Sequence, residues 1–161
     1  MKNKIFIFDL DDTLYKEIDF LYSAYREIAG WIELKFSLKG IYAFMLETYK
    51  EQVDVFSRLI DTYDLSLTKA DLLSIYRSHR PNIRLELDTL KALEVLKQDF
   101  ILGMITDGRS ITQRNKFQAL GLEQFIENEN LVISEEFGSE KPSERNFMFF
   151  QDKYADAEFV Y

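Results

Sequence analysis

The 161-residue chain has no cysteine, one histidine and two prolines. Without cysteine it can form no disulfide framework, no zinc–thiolate cluster and no thiolate nucleophile. A single histidine, His79, excludes a metal site built from several imidazoles. Long apolar runs are also missing. The N-terminal run covers only residues 5–8, which is too short for a signal peptide or a membrane span. We therefore expect a cytoplasmic protein.

The composition is that of a globular protein, with 47% hydrophobic and 30% charged residues. The length suffices for one core, alone or with an inserted module. The net charge is −8, and the acidic residues are scattered along the sequence. Nucleic acids and anionic membranes need basic patches, so we expect neither as a partner. An anionic substrate would need positive charge supplied at its own site.

The stretch IFIFDLDDTLY at residues 5–15 carries the strongest local signal. Its apolar run predicts a fully buried strand, because aromatic and β-branched residues stand there without a polar interruption. Asp9 and Asp11 follow where this strand should end, whereas Asp12 is expected to be solvated. Ligands of open α/β sheets bind at the carboxyl ends of strands. The stretch therefore places two carboxylates at that edge.

A helical period replaces the strand pattern after residue 15. It predicts three helices, over about 19–35, 41–60 and 68–78. Thr68 with Asp71 is typical of a helix N-terminus. No strand is expected before Pro81, so residues 16–82 are interpreted as an all-helical module. His79 and Arg80, near its second hinge, are expected at the surface.

Helices and buried strands alternate from residue 85 onward. The predicted strands lie near 100–105, 131–133 and 158–161, and the helices near 88–98, 111–120 and 143–154. Asp88 and Ser110 are expected to cap the first two helices, and Gly121 to end the second. This alternation predicts an α/β fold with a Rossmann-like parallel sheet. Its core would comprise residues 1–15 and 83–161.

Polar side chains that suit phosphoryl transfer stand at the expected ends of the strands. They offer a nucleophile, a second carboxyl group, a hydroxyl group and a cation, which is what an in-line transfer of a phosphoryl group requires. The set comprises Asp9, Asp11, Thr106 and Lys141.

These motifs resemble the haloacid dehalogenase-like (HAD) hydrolase superfamily, in the branch that carries a helical cap after the first motif. The matching segments are FIFDLDDTL, LGMIT and EKPSERNF, and the resemblance covers all 161 residues. It implies that Asp9 is the nucleophile and forms an aspartyl-phosphate. It also implies that Asp11 is the general acid and base. Members that dehalogenate lack an acid at the position of Asp11, so a phosphatase or phosphomutase is favoured.

The resemblance implies roles for the remaining groups as well. Thr106 and Lys141 would bind the phosphoryl group, with help from the amides of Asp107 and Gly108. Mg²⁺ would take the carboxylate of Asp9, the main-chain carbonyl of Asp11 and an acid from a fourth motif. The chain ends in EFVY before any such acid. We therefore expect a chain truncated before that motif, with weak Mg²⁺ binding and poor hydrolysis.

The function favoured by the sequence is a Mg²⁺-dependent phosphatase that acts on a small phosphorylated metabolite, because a closing cap excludes a large one. Two alternatives stay open. One is a non-catalytic relative whose helical module is an interaction surface. The other is a receiver-type phosphoacceptor domain, which needs its acidic strand near the middle of the chain, where only helices are expected. The sequence gives no prediction of the oligomeric state.

Overall fold

The structure is a computed structural model that describes residues 4–161. In this part of the chain the strands are β1 (Lys4–Phe8), β2 (Ile101–Thr106), β3 (Leu131–Ile133) and β4 (Glu158–Val160). The helices are α1 (Glu17–Phe36), α2 (Ile41–Lys50), α3 (Val55–Tyr63), α4 (Lys69–Ser78), α5 (Leu87–Asp99), α6 (Ser110–Ala119), α7 (Ser134–Phe137) and α8 (Arg145–Lys153). Two short 3₁₀ helices, Leu122–Gln124 and Asn128–Asn130, precede β3.

The four strands form one parallel sheet in the order β3-β2-β1-β4. This confirms the predicted α/β fold with a Rossmann-like parallel sheet. Phe8 of β1 pairs in register with Met104 of β2, so the two strands end side by side. Asp9 and Thr106 therefore stand at the same edge of the sheet, as the sequence predicted.

The central strand β1 is packed on both faces, because successive side chains of a strand point in opposite directions. Ile5 and Ile7 belong to an apolar cluster with Phe150 of α8. Phe6 and Phe8 pack against a second cluster on the other face, which includes residues of α5 and α6. Helices therefore cover both sides of the sheet, and only its edges and strand ends remain for ligands.

One contact under the sheet requires a glycine. A Cβ atom on Gly103 of β2 would lie 2.7 Å from the ring of Phe150, which is fully buried. We expect Gly103→Ala to lower the free energy of unfolding by about 1–3 kcal/mol, because the packed ring has no free space to move into. Gly30→Ala in α1, where nothing lies within 4 Å of the added atom, should raise it by up to about 1 kcal/mol. Urea unfolding of both variants checks this, and equal effects would contradict it.

The segment between β1 and α5 contains only helices, in line with the predicted all-helical module. Helices α1 to α4 share an apolar cluster of their own, which includes Ile28, Met45, Leu59 and Leu72. The structure does not test the boundaries at residues 16–82, so the division into core and cap stays a prediction.

The single helix predicted over 41–60 is wrong, because the structure breaks it into α2 and α3. Gln52 adopts a left-handed conformation with φ of 58°, which a continuous helix cannot contain. Asp54 then caps α3 by accepting a hydrogen bond from the Ser57 amide at 3.2 Å. The apolar period continues across this break, so periodicity alone did not reveal it.

The predicted helix caps had mixed outcomes. Thr68 caps α4 in a reciprocal capping box with Asp71, as expected. The expected caps at Asp88 and Ser110 are wrong, because α5 begins at Leu87 and α6 at Ser110 itself, and neither start has a side-chain cap. The Ser110 hydroxyl donates instead to Glu136, at 2.5 Å.

The expected surface position is wrong for His79 and confirmed for Arg80 and Asp12, which are exposed. His79 is buried, and its ring nitrogens lie 2.8 Å from the Tyr76 carbonyl and 3.3 Å from the Ser23 hydroxyl. Burial lowers the pKa of His79, so the neutral ring is favoured. Asp12 accepts a hydrogen bond from the Glu17 amide at 2.9 Å, which satisfies a free donor at the start of α1.

Within residues 4–161, none of the helices is long and apolar enough to cross a membrane.

Candidate active site

Asp9 lies directly after the central strand and is paired with a cation. The Nζ atom of Lys141 is 2.8 Å from Asp9 Oδ1, and the Leu10 amide donates to the same oxygen at 2.7 Å. Among the described residues, the second oxygen of Asp9 has no hydrogen-bond partner. About 35% of the Asp9 side chain is exposed. Asp9 thus has one fixed oxygen and one that is available for chemistry.

Lys141 is held at the sheet edge by three contacts. Besides Asp9, its Nζ atom lies 3.4 Å from the carbonyl of Ile105, and its amide donates to Asp107 Oδ1 at 3.1 Å. Partial burial lowers the pKa of Lys141, but the hydrogen bond and the negative charge of Asp9 outweigh it, so the pKa stands above its ordinary value. Lys141 therefore carries a permanent positive charge next to the free oxygen of Asp9.

Asp11 is surrounded by hydrogen-bond donors. Lys116 Nζ lies 2.7 Å and the Tyr15 hydroxyl 2.6 Å from Oδ1, while the Gln113 amide nitrogen lies 2.9 Å from Oδ2. Both carboxylate oxygens are therefore engaged. Burial and then the hydrogen bond to Asp11 raise the pKa of the Tyr15 hydroxyl, so Tyr15 stays protonated and remains a donor.

Thr106 and the residues after it are linked to Asp11 through Gln113. The amide nitrogen of Gln113 lies 2.6 Å from Thr106 Oγ1 and 3.0 Å from the Asp107 carbonyl oxygen. Because Thr106 accepts this hydrogen bond, its own hydroxyl hydrogen is left to donate elsewhere. Gly108 makes the approach possible, since its φ is 141° and a Cβ there would lie 3.2 Å from the Gln113 side chain.

The six predicted site residues therefore belong to one connected group. Lys141 joins Asp9 to Asp107, and Gln113 joins Thr106 and Asp107 to Asp11. The amide of Gly108 donates to the Ser134 hydroxyl at 2.9 Å, so a role in substrate binding would require this bond to be exchanged. The catalytic, substrate-binding and metal-binding roles of these residues stay predictions.

Sequence reasoning missed Gln113 and Lys116, because the feature that marks them is their burial, which the sequence does not show. The buried residues of this ten-residue helix are Thr112, Gln113, Lys116 and Phe117, whereas Ile111 is 52% exposed. A helix on a core normally buries its apolar residues and exposes its charged ones. The reversed pattern marks a helix that packs against a polar site.

Two lysines supply positive charge at the site. Lys116 lies next to Asp11 and Lys141 next to Asp9, so each of these carboxylates has a cation beside it. Glu17 lies close by at the start of α1. Partial burial raises the pKa of Glu17, and the negative charge of Asp11 raises it further.

The oxygen donors here fit Mg²⁺ in kind, because this ion prefers carboxylate and carbonyl oxygens. Asp9 has a free carboxylate oxygen. The carboxylate of Asp11 is already engaged, so its main-chain carbonyl is the group that suits the predicted ligand role. Among residues 4–161, no three acidic or histidine side chains are grouped to hold a metal ion. For Mg²⁺, Asp9 and Asp11 would therefore supply part of a ligand set.

Comparison with known sequences gives the same family. A family model described as haloacid dehalogenase-like hydrolase matches residues 6–155. The chain is 31% identical to a glyceraldehyde 3-phosphate phosphatase of Methanocaldococcus jannaschii, over 84% of this chain and 64% of that protein. It is 28% identical to a protein of the same name from Methanopyrus kandleri, over 90% of this chain and 67% of that protein. The chain thus spans about two thirds of the length of these relatives.

Solved structures share the fold. The HAD hydrolase YfnB of Bacillus subtilis, whose crystal structure is bound to magnesium, has a TM-score of 0.62 and 19% identity, over 95% of this chain and 73% of that one. A 2-haloacid dehalogenase of Pseudomonas syringae pv. Tomato DC3000 has a TM-score of 0.58 and 20% identity, over 94% of this chain and 73% of that one. At these identities the likeness concerns the fold alone. The family match covers nearly the whole chain, and the chain therefore belongs to the haloacid dehalogenase-like hydrolase family.

Proposed function

We propose that this chain carries the active site of a phosphoric monoester hydrolase that acts on a small phosphorylated metabolite. The observation that carries the proposal is the pairing of Asp9 with Lys141 at the end of the central strand, with one oxygen of Asp9 left free. The phosphatase names of the two relatives support the same reaction class. Because the chain spans only 64% of the first relative, the activity of the whole protein is itself part of the proposal.

The reaction would proceed in two displacements. In the first, the free oxygen of Asp9 attacks phosphorus, and the bond to the leaving oxygen breaks with its electron pair. Asp11, in its protonated form, gives that oxygen a proton, which requires one of its present hydrogen bonds to be exchanged. In the second, water attacks the aspartyl-phosphate and Asp11 takes a proton from it. Inorganic phosphate leaves, and the carboxylate of Asp9 is restored.

Other groups of the chain would hold the phosphoryl group in line. Lys141 offsets its negative charge next to Asp9, and the free hydroxyl hydrogen of Thr106 can donate to one of its oxygens. Bound Mg²⁺ would neutralise further charge on the phosphoryl oxygens, held by the carboxylate of Asp9 and the main-chain carbonyl of Asp11.

The helical segment would act as a cap that limits the size of the substrate. Helix α1 starts a few residues after Asp11, and the buried His79 ties the end of α4 to Ser23 of α1 through its hydrogen bond. We propose a cytoplasmic enzyme, and three-carbon phosphates as the first substrates to try, because the two relatives are named for glyceraldehyde 3-phosphate.

A phosphate-release screen tests the proposal. The chain would be assayed with glyceraldehyde 3-phosphate, glycerol 3-phosphate, sugar phosphates and nucleotides, with Mg²⁺ or with EDTA. We expect slow release from at least one small phosphate ester, in keeping with the poor hydrolysis predicted for this chain, and a loss of at least about tenfold on chelation that added Mg²⁺ reverses. No release from any ester would favour the non-catalytic alternative. Equal release in EDTA would contradict the assignment of the metal.

A further inference from the structure

Lys116 of α6 is buried to an extent that is unusual for a lysine, with 3% of its surface exposed. Its ammonium group lies 2.7 Å from Asp11 Oδ1 and 4.5 Å from the centroid of the Phe20 ring. The first contact reaches the loop after the central strand, and the second reaches the first helix of the helical segment. The ammonium therefore stands between the proposed general acid and the proposed cap.

Stability alone is a weak reason for such a pair. Removing two charges from water costs about as much as their attraction returns, and an apolar replacement of similar volume is often neutral or stabilising. A second buried residue of α6 also contacts the site, since Gln113 donates to Asp11 and Thr106. Lys116 and Gln113 thus both donate to the carboxylate of Asp11.

The donors fix how that carboxylate is oriented. Lys116 and Tyr15 hold Oδ1 while Gln113 holds Oδ2, so rotation of the Asp11 side chain would break at least one hydrogen bond. A general acid acts only within hydrogen-bond reach of the leaving oxygen, and a misplacement of about 1 Å can cost about 10²-fold in rate. A change in the orientation of Asp11 should therefore be measurable as a change in kcat.

We propose that Lys116 is a positioning residue, which orients Asp11 for proton transfer to the leaving oxygen. The inference rests on the proposed phosphatase function and extends it to a residue outside the three motifs. Lys116 acts through Asp11 and does not touch the phosphoryl group. Its loss should matter most where the leaving oxygen needs a proton.

The test is a double-mutant cycle on the full chain with two substrates, 4-nitrophenyl phosphate and glycerol 3-phosphate. We expect Lys116→Met to lower kcat about 10- to 100-fold for the alkyl ester and less than about threefold for the aryl ester, whose leaving oxygen needs little protonation. In an Asp11→Asn background, Lys116→Met should change kcat less than about threefold, because the group that it orients is no longer an acid. Lys116→Arg should restore most of the turnover.

Two control variants distinguish a loss of Asp11 orientation from a general loss of structure. Arg114→Met removes an exposed ion pair with Glu136 from the same helix and should leave both rates within about twofold. If Lys116→Met does not fold, Tyr15→Phe removes another donor from Asp11 Oδ1 with little change in shape. It should give the same preference for the aryl ester.

The positioning role would be overturned if Lys116→Met lowered kcat equally for the two esters, or if its effect on kcat added fully to that of Asp11→Asn. Either result would leave the phosphatase assignment intact. If the unsubstituted chain released no phosphate from either ester, the proposed function would be overturned, and the positioning role with it.

Discussion

Asp9→Asn is expected to reduce phosphate release at least about 10³-fold, because the amide has nearly the same shape as the carboxylate but is a poor nucleophile. The variant should keep its fold, since Asp9 is only partly buried and an amide can still accept the hydrogen bond from the Leu10 amide. Circular dichroism and urea unfolding check the fold, and a phosphate assay checks the activity.

Asp12→Asn is the matched control for this substitution. It makes the same chemical change three positions later, at a residue that accepts a hydrogen bond from the Glu17 amide. We expect at most about 1 kcal/mol of lost stability and turnover within about twofold of the parent. If Asp9→Asn kept more than a tenth of the parent activity, Asp9 would not be the nucleophile.

Lys141→Met should lower kcat/KM for a phosphate ester by about 10²- to 10³-fold. Two unit charges about 4 Å apart interact by roughly 4 kcal/mol at an effective dielectric constant near 20, and each 1.4 kcal/mol is worth about tenfold in rate. Without the ammonium group, a phosphate dianion meets the carboxylate of Asp9 with less charge to offset the repulsion. Steady-state kinetics on an aryl phosphate measures the loss.

Lys91→Met serves as the control for Lys141→Met. The Lys91 side chain is 62% exposed, and its ion pair with Asp88 is long, at 4.0 Å, and therefore weak. Its loss should leave the kinetics unchanged within about twofold. Lys141→Arg keeps the charge in a different geometry and should recover part of the rate. A loss below fivefold for Lys141→Met would show that the ammonium group does not serve the phosphoryl group.

The sequence predicted the parts of the fold that depend on strong local patterns. The apolar runs at β1, β2 and β3 are short, continuous and bounded by polar residues, which is typical of buried parallel strands. Because strands that alternate with helices form a parallel sheet, the common edge of Asp9 and Thr106 followed from the order of the elements alone. The family motifs added Lys141, and in the structure its ammonium group lies 2.8 Å from Asp9.

The parts that the sequence did not reveal depend on contacts between distant segments. Gln113 and Lys116 meet Asp11 across about a hundred positions of the sequence, and a polar face on a helix ordinarily means a solvated one. The burial of His79 likewise depends on its contact with Ser23 in another helix. The break between α2 and α3 depends on one residue in a left-handed conformation, Gln52, which no apolar pattern reports.

The central claim is that Asp9 carries the phosphoryl group during turnover. The most direct measurement is to quench the reaction with acid in the steady state, reduce the acyl-phosphate with borohydride and locate the modified residue by mass spectrometry. We expect a substrate-dependent modification at Asp9 that is absent from Asp9→Asn. Turnover with no modification at Asp9, or with a modification at another acid, would contradict it.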